Sequence, residues 1–220
     1  MVIGPRMVVV VVIFMSFTVF LGIVSADPDM LQDVCVADLA SKMKVNGFPC
    51  KAAFNETDFF YDGLAKPGLP NNTLGNLVRR GNVLKIPGLN TLGMSLDRSD
   101  FAPFGLSAPH THPRATEMVF VLYGEIYAGF ITTANVLVAK TIKAGEIFVF
   151  PRGLVHFQMN IQNTPAATIA AFNSQFPGAS FIATTLFAAE PTVPNDVLAK
   201  AFQIDVKEVE MIKAKLAPKS

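Results

Sequence analysis

Between residue 81 and about residue 186 the chain breaks into short β-rich runs separated by turn residues, and this pattern restricts the fold more than any other feature of the sequence. The runs fall at 118–123, 125–131, 136–142, 147–150, 155–161, 166–173 and 181–187. Leu92, Met94 and Leu96 alternate with Gly93, Ser95 and Asp97, as a strand with one buried apolar face should. Many short strands at regular spacing predict an all-β sandwich or barrel. Gly124 separates two of the runs, and Pro151-Arg152-Gly153 predicts a turn with Pro at its second position and Gly at its fourth; such turns fold strands back as hairpins.

The flanks differ. Residues 27–80 show no sustained periodicity and carry Pro49, Pro67, Gly68, Pro70 and a run of Asn, which reads as a loop-rich arm. After Pro194 the period becomes helical. Val197, Leu198, Ala201 and Phe202 mark one apolar face, and Val209, Ile212 and Leu216 mark another, opened by a capping pattern from Asp205 to Glu208. Helices of this kind either cover the barrel or dock on a neighbouring subunit. The chain thus divides into residues 1–26, an arm at 27–80, a barrel at 81–190 and a helical segment at 191–220.

Residues 1–26 read as a cleaved secretory signal: Arg6, an apolar run from Met7 to Leu21, then the small residues of Val24-Ser25-Ala26 and the acidic Asp27-Pro28-Asp29. A membrane anchor is the alternative, because the run approaches the length that spans a bilayer. The chain has 18 Lys and Arg against 17 Asp and Glu. Removing the leader takes Arg6 alone and leaves 17 minus 17, or zero net charge. Nothing in that balance points to nucleic acid or an anionic membrane as partner. The two cysteines, Cys35 and Cys50, stand close together, and in an oxidising compartment such a pair reads as a disulfide; two free thiols or two metal ligands are the alternatives. Asn55-Glu56-Thr57 and Asn71-Asn72-Thr73 are glycosylation sequons that fit a secretory route.

All three histidines of the chain, His110, His112 and His156, lie in the β region. His110 and His112 are two apart, so on an extended strand both imidazoles project to one side. Glu117 follows beyond Pro113, which can break the strand and free the carboxylate from simple alternation. His156 follows the Pro-Arg-Gly turn, where a hairpin can return a fourth ligand. Three imidazoles and a carboxylate suit manganese, iron, nickel or zinc. A closed structural zinc site fits less well, since secreted examples lean on thiolates.

The stretch His110-Thr-His112-Pro-Arg-Ala-Thr-Glu117, with Gly124 beyond it, resembles the first cupin motif, and Gly145, Pro151, Gly153, His156 and Asn160 match the fixed positions of the second. Pro28-Asp29, Leu31-Gln32-Asp33, Cys35-Val-Ala-Asp38-Leu39, Asn173-Ser-Gln175 and Phe176-Pro177-Gly178 are similar to plant germins and germin-like proteins. The resemblance covers the whole mature chain. It implies a cupin β-barrel of the jelly-roll type, manganese held by His110, His112, Glu117 and His156, a Cys35–Cys50 disulfide, and a homohexamer built as a trimer of dimers in the apoplast and cell wall. One departure stands out. The leading Gly of the first motif is replaced by Phe104, which cannot adopt φ > 0 cheaply, so the loop before His110 is expected to differ and to narrow or cover the cavity mouth.

Three functions follow from that resemblance. The first is superoxide dismutation, which needs only an accessible redox metal. The second is a non-enzymatic cell-wall or defence protein with a structural metal. The third, oxalate oxidation, is disfavoured. Germins that oxidise oxalate hold it with two asparagines near the metal, and the matching positions here are Asp97 and Ser107. A carboxylate beside an incoming dianion is unfavourable by on the order of 4 kcal/mol per pair of unit charges about 4 Å apart at an effective dielectric of about 20. No basic residue is identifiable from the sequence as a counterweight.

Overall fold

The computed structural model describes residues 33–44 and 46–217, so the leader segment lies outside the described residues. Ten strands follow one another as β1 (Asn76–Gly81), β2 (Ser95–Phe101), β3 (Leu106–Thr111), β4 (Glu117–Tyr123), β5 (Glu125–Ile131), β6 (Leu137–Lys143), β7 (Ile147–Phe150), β8 (Val155–Asn160), β9 (Ala166–Phe172) and β10 (Ser180–Phe181). Three helices follow, α1 (Ile182–Phe187), α2 (Asn195–Phe202) and α3 (Val206–Leu216). The strands form two five-stranded antiparallel sheets, ordered β1-β2-β9-β4-β7 and β10-β3-β8-β5-β6. Among the described residues no helix is long and apolar enough to cross a membrane.

The inward residues of the two sheets divide the interior into two zones. Phe101, Val119, Val121, Ile126, Ala128, Ile142, Phe150 and Ala166 make a dry apolar core. Burying each large side chain of this set stabilises the fold by about 1.5–3 kcal/mol. The other zone is polar and holds the histidines. This zoning reverses the expectation for β2. Leu96 is 40% exposed while Ser95, Asp97 and Ser99 are buried, because β2 turns its polar face toward the polar zone. The alternation was legible; which face was buried was not.

Several boundaries move. The barrel begins at β1, inside the stretch read as arm, because Asn76–Gly81 finds an antiparallel partner in β2. The expected strand at 181–187 is a strand for two residues only, pairing with β3, after which the chain turns into α1 and buries Phe187 against Leu198 and Val209. The helices therefore close a small core of their own. Asp205 and Glu208 form the expected capping box at the start of α3. The Pro-Arg-Gly turn is shifted by one position: Leu154 N donates to Pro151 O, and Gly153 supplies φ +79°. Cys35 and Cys50 are bonded and tie the arm into a loop with a separation of 15 residues. Asn55 and Asn71 both lie on exposed stretches of that arm.

Candidate metal centre

Three short stretches, two in the second sheet and one in the first, aim their side chains at one point. His110 on β3 pairs in register with His156 on β8, so both project inward from the second sheet. Glu117 opens β4 in the first sheet and faces inward, followed by buried Val119 and Val121 at the strand's period of two. His112 lies just past the end of β3, before the Pro113 break, and is buried. A bulge between Ser107 and His110, where the partner strand advances from Gln158 to His156, lets Ser107 and His110 both face inward although they are three residues apart. The Pro151–Leu154 turn is held against the His112 segment by Gly153 N donating to His112 O and by Arg152 Nε donating to Pro113 O.

The backbone fixes how each imidazole presents itself. Nδ1 of His110 contacts Ala108 O at 2.8 Å, Nδ1 of His156 contacts Leu154 O at 2.9 Å, and Nδ1 of His112 contacts Gly178 O. A carbonyl only accepts, so each Nδ1 carries the proton and each Nε2 is turned to the centre as a donor to a metal. Phenylalanine rings wedge the imidazoles in place: Phe150 stacks on His156 at 4.5 Å, Phe181 on His110 at 5.0 Å, and Phe172 meets His112 edge-on at 4.8 Å. Gln158 Nε2 donates to Glu117 Oε1 at 2.9 Å, which leaves Oε2 facing the histidines.

This arrangement fits a metal. The four ligating atoms lie within 4.8 Å of one another, and Nε2 of both His112 and His156 stands 3.1 Å from Glu117 Oε2. Two donors bound at right angles to one ion at about 2.1–2.2 Å stand about 3 Å apart, so those contacts match edges of a shared coordination shell. Burial lowers the His110 pKa to about 4, so its imidazole is neutral and its Nε2 lone pair free. Burial pushes the Glu117 carboxyl up, while the facing His112 and His156 rings pull it down to about 2 as long as their Nε2 atoms carry protons; with those protons gone, a bound cation would take over that role and keep the carboxylate ionised, as a ligand must be.

Beside the four donors lies a cavity of about 30 Å³ whose walls include Asp97, Ser107, Gln158 and Phe181. Asp97 and Ser107 thus reach the centre as the sequence placed them. Phe104 and Asn160 do not line it. Phe104 takes φ +58°, the conformation expected of the missing Gly, and its side chain is 58% exposed, so it narrows nothing. Gly105 cannot take over that role by a shift of register, since a Cβ there would stand 2.1 Å from Gly75 O. Asn160, fully buried, is a strap: its Nδ2 donates to Ala102 O and Thr164 O, and its Oδ1 accepts from Gln162 N.

Gln158 and Arg80 are polar cavity residues that escaped the sequence reading. Gln158 follows His156 by two on the same strand, so the period of two could have found it. Arg80 could not be found that way. It lies on β1, in register with Asp97 on β2, with its Nε 3.8 Å from Asp97 Oδ2. It lines both the metal cavity and a wider antechamber of about 360 Å³ that also touches Asp97, His112 and Phe181. Arg80 is the basic counterweight that the sequence concealed. Burial still dominates at Asp97 and raises its pKa to about 6, with Arg80 pulling the other way, and its Oδ1 has no hydrogen-bond partner.

Two antiparallel sheets enclosing three imidazoles and a carboxylate define a cupin barrel with a cluster able to hold a metal, and the Cupin family profile matches residues 62–210. Germin-like protein 5-1 of Oryza sativa subsp. japonica is 65% identical over 195 residues, 89% of this chain and 88% of that protein. The rhicadhesin receptor of Pisum sativum is 63% identical over 193 residues, 87% of this chain and 89% of the receptor. Among solved structures, an oxalate oxidase superposes with a TM-score of 0.83 at 44% identity, covering 88% of this chain and all of that one. The chain belongs to the plant germin-like proteins of the cupin family. That kinship and the disulfide fit an extracellular protein.

Proposed function

We propose that this chain is a secreted, apoplastic manganese protein of plant stress and defence that dismutates superoxide and does not oxidise oxalate. The observation that carries the reading is the 30 Å³ cavity with Asp97 on its wall. Superoxide is small and carries a single charge, whereas oxalate would have to set two carboxylates beside the Asp97 carboxylate. His110, His112, Glu117 and His156 would hold the manganese, whose two accessible oxidation states supply one-electron exchange. Two superoxide ions and two protons then yield dioxygen and hydrogen peroxide. Arg80 draws the anion toward the cavity. Gln158 holds Glu117 in its ligating orientation, and Phe150, Phe172 and Phe181 keep bulk water from the imidazoles. Asp97 Oδ1 can hold a proton below about pH 6. Above that pH the Asp97 carboxylate opposes an oxalate carboxylate, and Ser107 lacks the reach of an amide.

The reading includes a homohexamer arranged as a trimer of dimers. Two exposed apolar surfaces support it. One is the outer face of the first sheet, with Leu96, Met118, Phe120, Ile147 and Val149; the other is Val197, Phe202, Val206 and Met211 on the helices. It assigns no nucleic-acid partner and no membrane anchor once the leader is cleaved, and it allows N-glycans on Asn55 and Asn71.

The test is a paired assay on secreted protein with quantified manganese. Superoxide dismutation should be present, and hydrogen peroxide release from oxalate should be absent at pH 7. The Asp97→Asn plus Ser107→Asn variant should gain measurable oxalate turnover. His156→Ala should still be secreted but lose most of its metal and its dismutation. Ready oxalate oxidation by the unmodified protein defeats the electrostatic reading; neither reaction in fully loaded protein favours a structural metal.

A further inference from the structure

Away from the proposed metal centre lies a cavity of about 490 Å³ between the disulfide-tied arm and the barrel. That volume falls in the range of small-molecule sites. The arm contributes Lys44 and Phe48; the barrel side contributes Arg114, Gln175 and Phe176, with Val83 and Leu84 adding apolar surface. None of its lining residues is acidic and none is a proposed metal ligand.

Each side of the cavity presents a cation over an aromatic ring. Lys44 Nζ stands 4.7 Å from the Phe48 ring centroid, and Arg114 Cζ stands 5.5 Å from that of Phe176. Neither cation has a carboxylate partner among the described residues. Among the described residues Arg114 spends only its Nε, which donates to Phe176 O at 2.7 Å, and neither Nη group has a hydrogen-bond partner there. The site is also braced. Asn90, fully buried, accepts from Phe48 N and donates to Phe48 O, while Gln175 Nε2 reaches Asn90 Oδ1 at 3.5 Å; this amide bridge joins the arm to the 173–176 loop. A rigid apolar cleft with two uncompensated cations complements a ligand that is itself apolar and anionic.

We infer that this cleft binds a small aromatic carboxylate, its ring lying among Phe48, Leu84 and Phe176 and its carboxylate meeting the Nη fork of Arg114 with Lys44 nearby. Planar two-point pairing is what a guanidinium offers a carboxylate and an ammonium does not. The site is independent of the metal and of superoxide chemistry.

The experiment is calorimetric titration of the full secreted protein, both manganese-loaded and metal-stripped, with 2-naphthoate and with its neutral analogue 2-naphthamide. Saturable binding of one naphthoate per chain is expected, unchanged by metal removal and about tenfold tighter than the amide. Lys44→Gln should weaken naphthoate about threefold, the scale of an exposed ion pair, and leave the amide unaffected. Arg114→Lys should weaken it about tenfold through loss of the fork. Because Arg114 also anchors Phe176, the carboxylate-to-amide comparison on unmodified protein carries the decision. Equal affinity for the two probes overturns the inference. So does binding that disappears with the metal, which would place naphthoate at the metal centre, or the absence of saturable binding, as when another subunit covers the cleft.

Discussion

At the scale of single residues, Asp97 shows how a buried carboxyl couples stability to pH. Its ordinary pKa is 3.8 and burial in the fold raises it to about 6. Below about pH 4 both the folded and the unfolded chain hold its proton. Between about pH 4 and 6 the unfolded chain releases that proton and the folded chain does not, so native stability falls as pH rises through this window. At about 1.36 kcal/mol per unit the full effect is at most about 3 kcal/mol above pH 6. That figure is already net of the pull from half-exposed Arg80, 3.8 Å away. Metal-stripped Asp97→Asn should therefore melt higher than the unmodified protein at pH 7.5 and equally at pH 4. Thermal denaturation at the two pH values checks this, and a variant that melts lower at pH 7.5 would mean the ion pair with Arg80 outweighs desolvation. The same residue limits the exclusion of oxalate to pH values above about 6, since the neutral acid no longer repels a dianion.

At the scale of elements, the turns do as much as the strands. The bulge in β3 brings Ser107 and His110 to one face, and the Pro151–Leu154 turn docks on the segment that carries His112. At the 101–106 turn, Asn160 satisfies Ala102 O while also reaching Thr164 O and Gln162 N, and so locks the β2–β3 and β8–β9 connections together. Asn160→Ala would remove three hydrogen bonds at once, those to Ala102 O and Thr164 O and the one from Gln162 N, although Ala102 O keeps Gly105 N as a donor. A loss of about 2–4 kcal/mol in denaturant unfolding is expected, with manganese content per folded chain unchanged, because the residue does not touch the metal cavity. A variant that keeps its stability and loses metal would instead return Asn160 to the centre. The motif position thus encodes turn architecture, although it reads in sequence like a cavity residue.

At the scale of the whole molecule, the Cys35–Cys50 disulfide and the Ala37–Cys50 bridge close the arm on itself, and the bond from Ala37 N to Pro87 O and the Asn90 amide network attach it to the rest of the chain. Closing a loop of about 15 residues stabilises the folded state by roughly 3 kcal/mol in the chain-entropy model. The double variant Cys35→Ala plus Cys50→Ala should lose about that much, read from the denaturation midpoint, and should bind metal normally once folded because no ligand lies on the arm. Native protein should titrate with no free thiol; two reactive thiols would contradict the bond.

The barrel class, the four candidate metal donors and the cysteine pair were all legible in the sequence. Strand periodicity, His-x-His spacing and cysteine proximity are short-range properties, and a chain carries them wherever it folds. The resemblance to germins also placed Asp97 and Ser107 at the centre. Tertiary structure alone decided the rest. That β2 buries its polar face follows from what stands opposite it across the interior. That Arg80 meets Asp97 follows from the register of β1 on β2, a pairing between residues 17 apart in a stretch without periodicity. Phe104 holds a left-handed turn because the backbone bonds of its neighbours, Gly105 N to Ala102 O and Ala102 N to Gly75 O, fix the turn around it. Each of these depends on long-range contacts, whose free energy no local pattern of residues records.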